Sequence, residues 1–186
     1  MPKPPRKITK DRLHNVAAAY LERFSAPRAH VKRLLLKRVD KAIAVHGGER
    51  SEFEPWVDEV VDTFVRLGVI DDDRYAESRA RTLVAGGRSG RNISSRLYAK
   101  GVTSETIATA MATIAEDGDP SVRACAAYVR RRRLGPFRDP ASRAAEREKD
   151  LARLGRAGFP YGIARETLDL PTAEDVCARI GSEGFG

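Results

Sequence analysis

Apolar residues return every three to four positions along most of this chain, which is the period of an amphipathic helix. Leu13, Val16, Ala17, Tyr20, Leu21 and Phe24 make one wide face behind a candidate cap, Thr9. Ser25 and Pro27 mark a stop and a restart. A second helix follows with Val31, Leu34, Leu35, Val39 and Ile43 on its apolar side. His46, Gly47 and Gly48 end it, and the stretch from His46 to Glu54 reads as a long acidic loop. Glu54 and Pro55 open a third helix, with Trp56, Val57, Val60, Val61, Phe64 and Leu67 as its buried stripe.

Gly68 closes that helix, and Val69 and Ile70 suit an apolar anchor at the junction. Asp71 is placed to cap the next helix, with Asp72 and Asp73 in its first turn. Tyr75, Ala76, Ala80, Leu83 and Val84 form the inward side of that helix. Gly86 and Gly87 break the pattern, Ile93 and Leu97 resume it, and Gly101 ends it. Thr103 or Ser104 caps a helix bearing Ile107, Ala110, Met111 and Ile114. Asp119-Pro120 and Asp139-Pro140 each read as a cap followed by a first-turn proline. Val122, Cys125, Ala126 and Val129 line the first of these helices. Ala144, Leu151 and Leu154 line the second. Pro160 opens a helix with Ile163 and Leu168, and a short helix fits around Val176, Cys177 and Ile180.

No strand-like alternation of useful length occurs, so the expected class is all-α. A weak repeat is visible. LLLKRV at Leu34–Val39, LYAKGV at Leu97–Val102 and LGRAGF at Leu154–Phe159 each read as the end of the second helix in a triplet. The expectation is an elongated, curved array of three tandem three-helix repeats. Its modules would cover 13–70, 71–118 and 119–170. A basic mobile tail would occupy 1–12, and a C-terminal tail with a short helix 171–186.

Charge narrows the partners. The 186 residues carry 34 Lys and Arg against 26 Asp and Glu, a net charge of +8, which suits a polyanionic partner such as nucleic acid or a nucleoprotein. The second helix has a basic face of Arg28, Lys32, Arg33, Lys37, Arg38 and Lys41. The third is acidic through Glu52, Glu54, Asp58, Glu59 and Asp62, so the two helices could pair. Arg130–Arg133 wrap every side of a helix end. Favourable placement at the negative end of the helix dipole and binding of a polyanion are both open readings for them.

Catalytic and metal chemistry find little support. The three aspartates at 71–73 fit a helix start better than a cation loop. GGRSG at Gly86–Gly90 lacks the ending of a phosphate loop and a preceding strand. His14, His30 and His46 share no ligand spacing. Ser89, Ser94 and Ser95 have no histidine beside them, and Cys125 and Cys177 lie on apolar stripes. The expectation is a binding protein without cofactor or metal, not an enzyme. No apolar run reaches membrane-spanning length and no secretory leader is evident, so a cytoplasmic location is expected.

LGVIDDDRYAESRAR at Leu67–Arg81, followed by ISSRLYAKGV at Ile93–Val102, resembles the RecX family, bacterial regulators of the RecA recombinase. AAYLERFSAPRAHVKRLLLKR and DLARLGRAGFPYGIARETL fit that family's first and third modules, so the resemblance spans roughly residues 13–170. Two features depart from its pattern: the length of the loop from His46 to Glu54, and KRVDKAIAVHGG in place of a lysine-glycine turn. The resemblance implies a protein that binds RecA and its filament on single-stranded DNA; a monomer is the expected state. It also implies inhibition of ATP hydrolysis, strand exchange and co-protease activity, and so regulation of DNA repair and the SOS response. Direct DNA binding would be weak.

Asp71, Asp72, Arg74, Tyr75, Ala76, Leu97 and Gly101 belong to the family motif and are expected to act mainly in structure. Lys32, Arg33, Arg88, Arg91, Arg96, Lys100 and Arg130, Arg131, Arg132 and Arg133 are the candidates for partner or DNA contact, chosen by charge and predicted exposure. A different class of function, a helix-turn-helix-like transcription regulator, fits the short helices and tight turn between Arg79 and Lys100.

Overall fold

The structure is a computed structural model, and it describes residues 5–180. Those residues form ten α-helices, one 3₁₀ turn and no strand. In order the helices are α1 (Lys10–Leu21), α2 (Arg28–His46), α3 (Arg50–Arg66), α4 (Asp72–Ala85) and α5 (Gly90–Lys100). They continue with α6 (Ser104–Ala115), α7 (Pro120–Arg132), α8 (Pro140–Arg156), α9 (Tyr161–Leu168) and α10 (Ala173–Ala178). The 3₁₀ turn, Gly135–Phe137, separates α7 from α8. The chain forms two compact units. One contains residues 5–75 and 100–102, the other residues 76–99 and 103–180.

In the first unit α1, α2 and α3 pack on one another. Leu13, Val31, Leu35, Val39, Val57 and Phe64 are the middle of its core. The opposite charges of α2 and α3 do pair. Arg28 Nη2 lies 2.6 Å from Asp62 Oδ1, and Lys32 Nζ lies 2.5 Å from Asp58 Oδ1. Lys10 adds an ion pair to Glu59. Such exposed pairs orient helices more than they stabilise them.

The second unit packs α7 against α9 and α10, and α8 against α9. Cys125, Val129, Leu134, Leu154 and Val176 are fully buried there. One carboxylate is buried with them. Asp150 is 1 % exposed and accepts from Arg138 Nε and Nη2, both at 2.7 Å, and from the Gly135 N–H at 3.1 Å. Burial pushes the Asp150 carboxyl up, but the Arg138 guanidinium and the Gly135 N–H outweigh it and hold the group below its ordinary range.

Local chemistry explains most helix ends. Thr9, Thr103, Asp119, Asp139 and Thr172 cap α1, α6, α7, α8 and α10 with their side chains. Thr172 and Asp175 complete a reciprocal capping box. After α3, α4 and α8 the chain reverses with paired backbone bonds, such as Phe159 N–H to Leu154 O at 3.1 Å and Gly158 N–H to Gly155 O at 2.9 Å. Arg133 makes the same turn after α7. Its φ of 53° makes it the only non-glycine residue with positive φ among the described residues.

Several expectations need correction. The long loop from His46 to Glu54 is absent, because α3 already begins at Arg50 and only residues 47–49 link it to α2. Pro55 therefore lies inside α3. Its missing N–H costs one bond near the helix start, its ring sits on the exposed side, and an Arg50–Glu54 pair at 3.0 Å spans that turn. LLLKRV does not end α2, since no glycine follows Val39 and the helix runs on to His46. Ser25 does not cap α2 either, and Pro27 holds the N-cap position without a side-chain bond.

Trp56 and Leu67 are 38 % and 67 % exposed, not buried. They sit roughly 70–90° around α3 from the centre of the Val57–Val60–Val61–Phe64 stripe. Phe24 is half exposed beyond the end of α1 and rests on Tyr20. Ile70 is buried, whereas its neighbour Val69 is exposed. In α2 it is Leu36, not Leu34, that is buried with Leu35. In α8 only Leu154 of the three expected apolar residues is fully buried.

The basic tail is shorter than 1–12, because Lys10 and its successors are helical. Pro5 O also lies 2.7 Å from His46 Nε2. Residues 1–4 and 181–186, where the outer parts of both expected tails fall, lie outside the described residues.

Candidate functional site

The GGRSG turn between α4 and α5 gathers much of the second unit's positive charge. Its placement starts at Gly87, where φ is 67° and a Cβ would lie 2.7 Å from the Tyr128 backbone nitrogen. Only glycine allows the turn to press onto α7 this closely. Arg131 Nη1 then donates to Gly86 O at 2.5 Å. Buried Ser89 donates through Oγ to Ala157 O at 2.7 Å. Three stretches distant in sequence thus meet: residues 86–91, the end of α7, and the α8–α9 turn.

An aromatic side chain lies at the centre. Tyr128 meets Phe159 edge to face, with ring centroids 5.5 Å apart. The guanidinium groups of Arg131 and Arg132 lie 5.6 and 6.0 Å from the Tyr128 ring centroid. Arg88 is half-buried, and Arg91 and Arg133 are exposed. Among the described residues, these three side chains make no hydrogen bond or ion pair. Arg130 is half-buried and engaged. The structure therefore brings Arg88 and Arg91 to the same turn as the arginine run.

Arg96 points elsewhere on α5 and holds Asn92 Oδ1 at 2.8 Å through Nε. Tyr98 is 69 % exposed on the same helix, opposite the buried Ile93 and Leu97. Tyr98 was not among the sequence candidates. A lone aromatic on the polar side of a helix is the signal that could have found it.

The first unit holds the remaining candidates. Lys32 is paired with Asp58 and Arg33 Nη2 donates to Lys100 O at 2.8 Å, so neither is an idle surface cation. Gly101 explains that second contact. With φ of 94°, a Cβ there would lie 2.5 Å from Ala29 Cβ and 3.0 Å from Arg33 Nη1. Lys100 itself is exposed. Beside this lies a groove of about 410 Å³ on α2, lined by His30, Arg33, Leu34, Lys37, Arg38 and Lys41. His30 faces Tyr20 Oη across 3.0 Å. Burial, then the charges of Lys100 and Arg33, hold its imidazole below the ordinary value.

The motif residues sit at a junction. Asp71 accepts from the Arg74 N–H at 2.8 Å, and so caps α4. Asp72 does not serve its own helix alone. Its Oδ1 accepts from the Arg28 N–H at 2.7 Å, at the start of α2. Arg74 Nη2 donates to Gly68 O at 2.8 Å and so holds the end of the preceding helix. Tyr75 is half-buried and engaged, and Ala76 and Leu97 are buried. Among the described residues, no three His, Cys, Asp or Glu side chains group as metal ligands would. No helix among them is long and apolar enough to cross a membrane.

Residues 71–111 match the family model described as RecX, second three-helix domain. Regulatory protein RecX of Myxococcus xanthus is 43% identical over 169 residues, which is 90% of each chain. The chain belongs to the RecX family of regulatory proteins. A second relative, regulatory protein RecX of a Mycobacterium species (strain JLS), is 31% identical over 78% of this chain and 80% of its own. The crystal structure of RecX from Lactobacillus salivarius matches 92% of this chain and 96% of its own, with a TM-score of 0.56 at 18% identity. At that identity the likeness speaks for the fold, an all-helical one. The curated relatives are regulatory proteins and their names describe no enzyme.

Proposed function

We propose that this chain binds RecA and its filament on single-stranded DNA, and that it mainly inhibits RecA's ATPase, strand exchange and co-protease activity. It would thereby regulate DNA repair and the SOS response, acting in the cytoplasm as a monomer. In this reading α1–α3, α4–α6 and α7–α9 are three repeats, divided near 13–70, 71–118 and 119–170. Family membership supports the RecA reading. One observation carries it to residues. The GGRSG turn, which carries Arg88 and beside it Arg91, is bonded to the end of α7, where Arg131 and Arg132 lie over Tyr128 and Arg133 follows; Arg88, Arg91 and Arg133 have no hydrogen bond or ion pair among the described residues. Cations without an ion-pair partner among the described residues suit phosphates or the carboxylates of a protein surface. Arg96 and Lys100 extend the same reading along α5.

The test is RecA ATPase on single-stranded DNA, with this protein titrated in at modest salt. The rate is expected to fall with increasing protein. An unchanged rate together with unchanged filament persistence would sink the proposal. Tight binding to one duplex sequence without any effect on RecA would favour a transcription regulator instead.

A further inference from the structure

α2 carries a row of charge of which the fold engages only the first member, Arg33. Arg33, Lys37 and Lys41 follow at i, i+4 and i+8, and His30, Leu34 and Arg38 complete the lining of the groove. On a helix this spacing puts the three cations in one line, about 6 Å apart. No acid lines the groove. The acids of α3 are spent on the other flank, where Asp62 and Asp58 hold Arg28 and Lys32. Arg50 takes Asp40. Among the described residues, Lys37, Arg38 and Lys41 have no ion pair or side-chain hydrogen bond. Like charges one turn apart on a helix are unfavourable. Lys37, Arg38 and Lys41, left without internal partners among the described residues on an otherwise paired helix, point to something outside the fold.

We propose that this groove of α2 is a binding site for the phosphate backbone of a nucleic-acid strand, with Lys37, Arg38 and Lys41 as its contacts. The shape favours a strand over an acidic protein surface. Arg33, Lys37 and Lys41 stand in line along α2 with Arg38 beside them, and a nucleic-acid backbone is itself a line of charge. Leu34 adds an apolar side chain to the lining, and His30 an imidazole whose charged form is disfavoured by burial and by the Lys100 and Arg33 charges. Arg33 is held by the Lys100 carbonyl, which leaves the other three as the mobile contacts. The site does not depend on RecA, and its residues lie outside the arginine turn.

The experiment uses the full chain without RecA. A fluorescent single-stranded oligonucleotide is titrated, its anisotropy is followed across a salt series, and a duplex of the same length is run in parallel. The triple variant Lys37→Ala, Arg38→Ala, Lys41→Ala is compared with a control that removes equal charge elsewhere, Lys10→Ala, Arg66→Ala, Lys149→Ala. Alanine keeps these exposed helix positions helical, and an unchanged or raised Tm of the triple variant shows that it is folded.

The groove variant should bind the better-bound nucleic acid about tenfold more weakly or worse. Its log–log salt slope should be shallower by about 2 for a single strand. The control should bind nearly as the parent does. Equal losses in both variants would overturn the proposal, as would no binding by the parent chain at about 50 mM salt. Displacement of the strand by polyglutamate as readily as by an oligonucleotide of equal charge would also overturn it, and would assign the row to an acidic protein. The RecA titration reads a separate property: inhibition of RecA without strand binding sinks this site alone, and strand binding without inhibition sinks the RecA reading alone.

Discussion

Asp72 Oδ1 accepts a hydrogen bond from the Arg28 backbone N–H at 2.7 Å, so a side chain in the first turn of α4 caps the start of α2. Pro27 precedes Arg28 and offers no side-chain acceptor of its own. The neighbouring acid, Asp71, does the ordinary local work for α4. Adjacent aspartates thus serve two different helices. Asp72→Ala should cost about 1 kcal/mol, the usual loss of a helix cap, and Asp72→Asn should recover most of it. Asp71→Ala should cost a similar amount. Urea melts give the sizes, and amide exchange separates the causes. Faster exchange at Arg28 is expected in Asp72→Ala and not in Asp71→Ala. The same rate in both would show that the cap on α2 is not made by Asp72.

That contact marks the limit of what the chain reveals before it folds. Helix periodicity and caps were legible because each depends on residues within four positions of one another. Thr9, Asp119-Pro120, Asp139-Pro140 and Gly101 all stand at the ends expected of them. Asp72 reads as a first-turn acid by every local rule, and only tertiary packing sends it to Arg28. Asp150 was not singled out at all, because its partners Gly135 and Arg138 lie across a turn that periodicity does not describe. Among surface cations, sequence separates charge from solvent but not free charge from paired. On the basic face of α2 it singles out Lys32, which Asp58 neutralises, and leaves Lys37, Arg38 and Lys41 as undifferentiated members of that face. It could not foresee that Arg88 and Arg131 flank one turn, since α5 and α6 stand between them in the chain.

Asp150 is expected to matter more to stability than any other carboxylate described. It is buried, doubly bonded by Arg138, and bonded by the Gly135 N–H. Asp150→Ala leaves Arg138 and the Gly135 N–H without that acceptor, and should cost about 3 kcal/mol. Because the folded carboxyl is held below its ordinary value, its contribution is complete above about pH 4 and is lost as pH falls further. Parent and Asp150→Asn melts should therefore differ most at neutral pH, with the gap narrowing as pH falls below about 4. A constant gap across that range would show that the ionised carboxylate is not what stabilises the turn.

Arg133 occupies a backbone conformation better suited to glycine. With φ of 53° and ψ of 49° it closes α7, and Leu134 N–H bonds Val129 O at 3.0 Å behind it. A left-handed residue with a Cβ is strained by roughly 1 kcal/mol. Arg133→Gly should thus raise stability by about 0.5–1 kcal/mol in a urea melt, despite the added freedom of the unfolded chain. If the exposed guanidinium meets RecA, the same variant should inhibit RecA less. A rise in stability together with weaker inhibition would mean that arginine is kept there at the expense of the fold. A fall in stability would show that Arg133 stabilises the turn through contacts of its own side chain.

The arginine turn offers the sharpest separation of binding from folding. Arg131 has a structural bond, to Gly86 O, and a place over the Tyr128 ring. Arg88 and Arg91 have neither among the described residues. Removing Arg131 as alanine should lower Tm and loosen the turn, and any loss of RecA inhibition would follow from both effects. The double variant Arg88→Ala, Arg91→Ala should lower Tm less than Arg131→Ala does, since Arg91 is exposed, Arg88 is half-buried, and neither side chain makes a hydrogen bond or ion pair among the described residues. It should still require about tenfold more protein for half-inhibition of RecA ATPase, the loss of about 1.4 kcal/mol that two charged contacts readily supply. The size of that loss should shrink as salt rises, because charges at a wet interface are screened. If the double variant inhibits as well as the parent at low salt, the turn is not the RecA-facing surface. The contact would then have to be sought along α5, at Arg96, Tyr98 and Lys100.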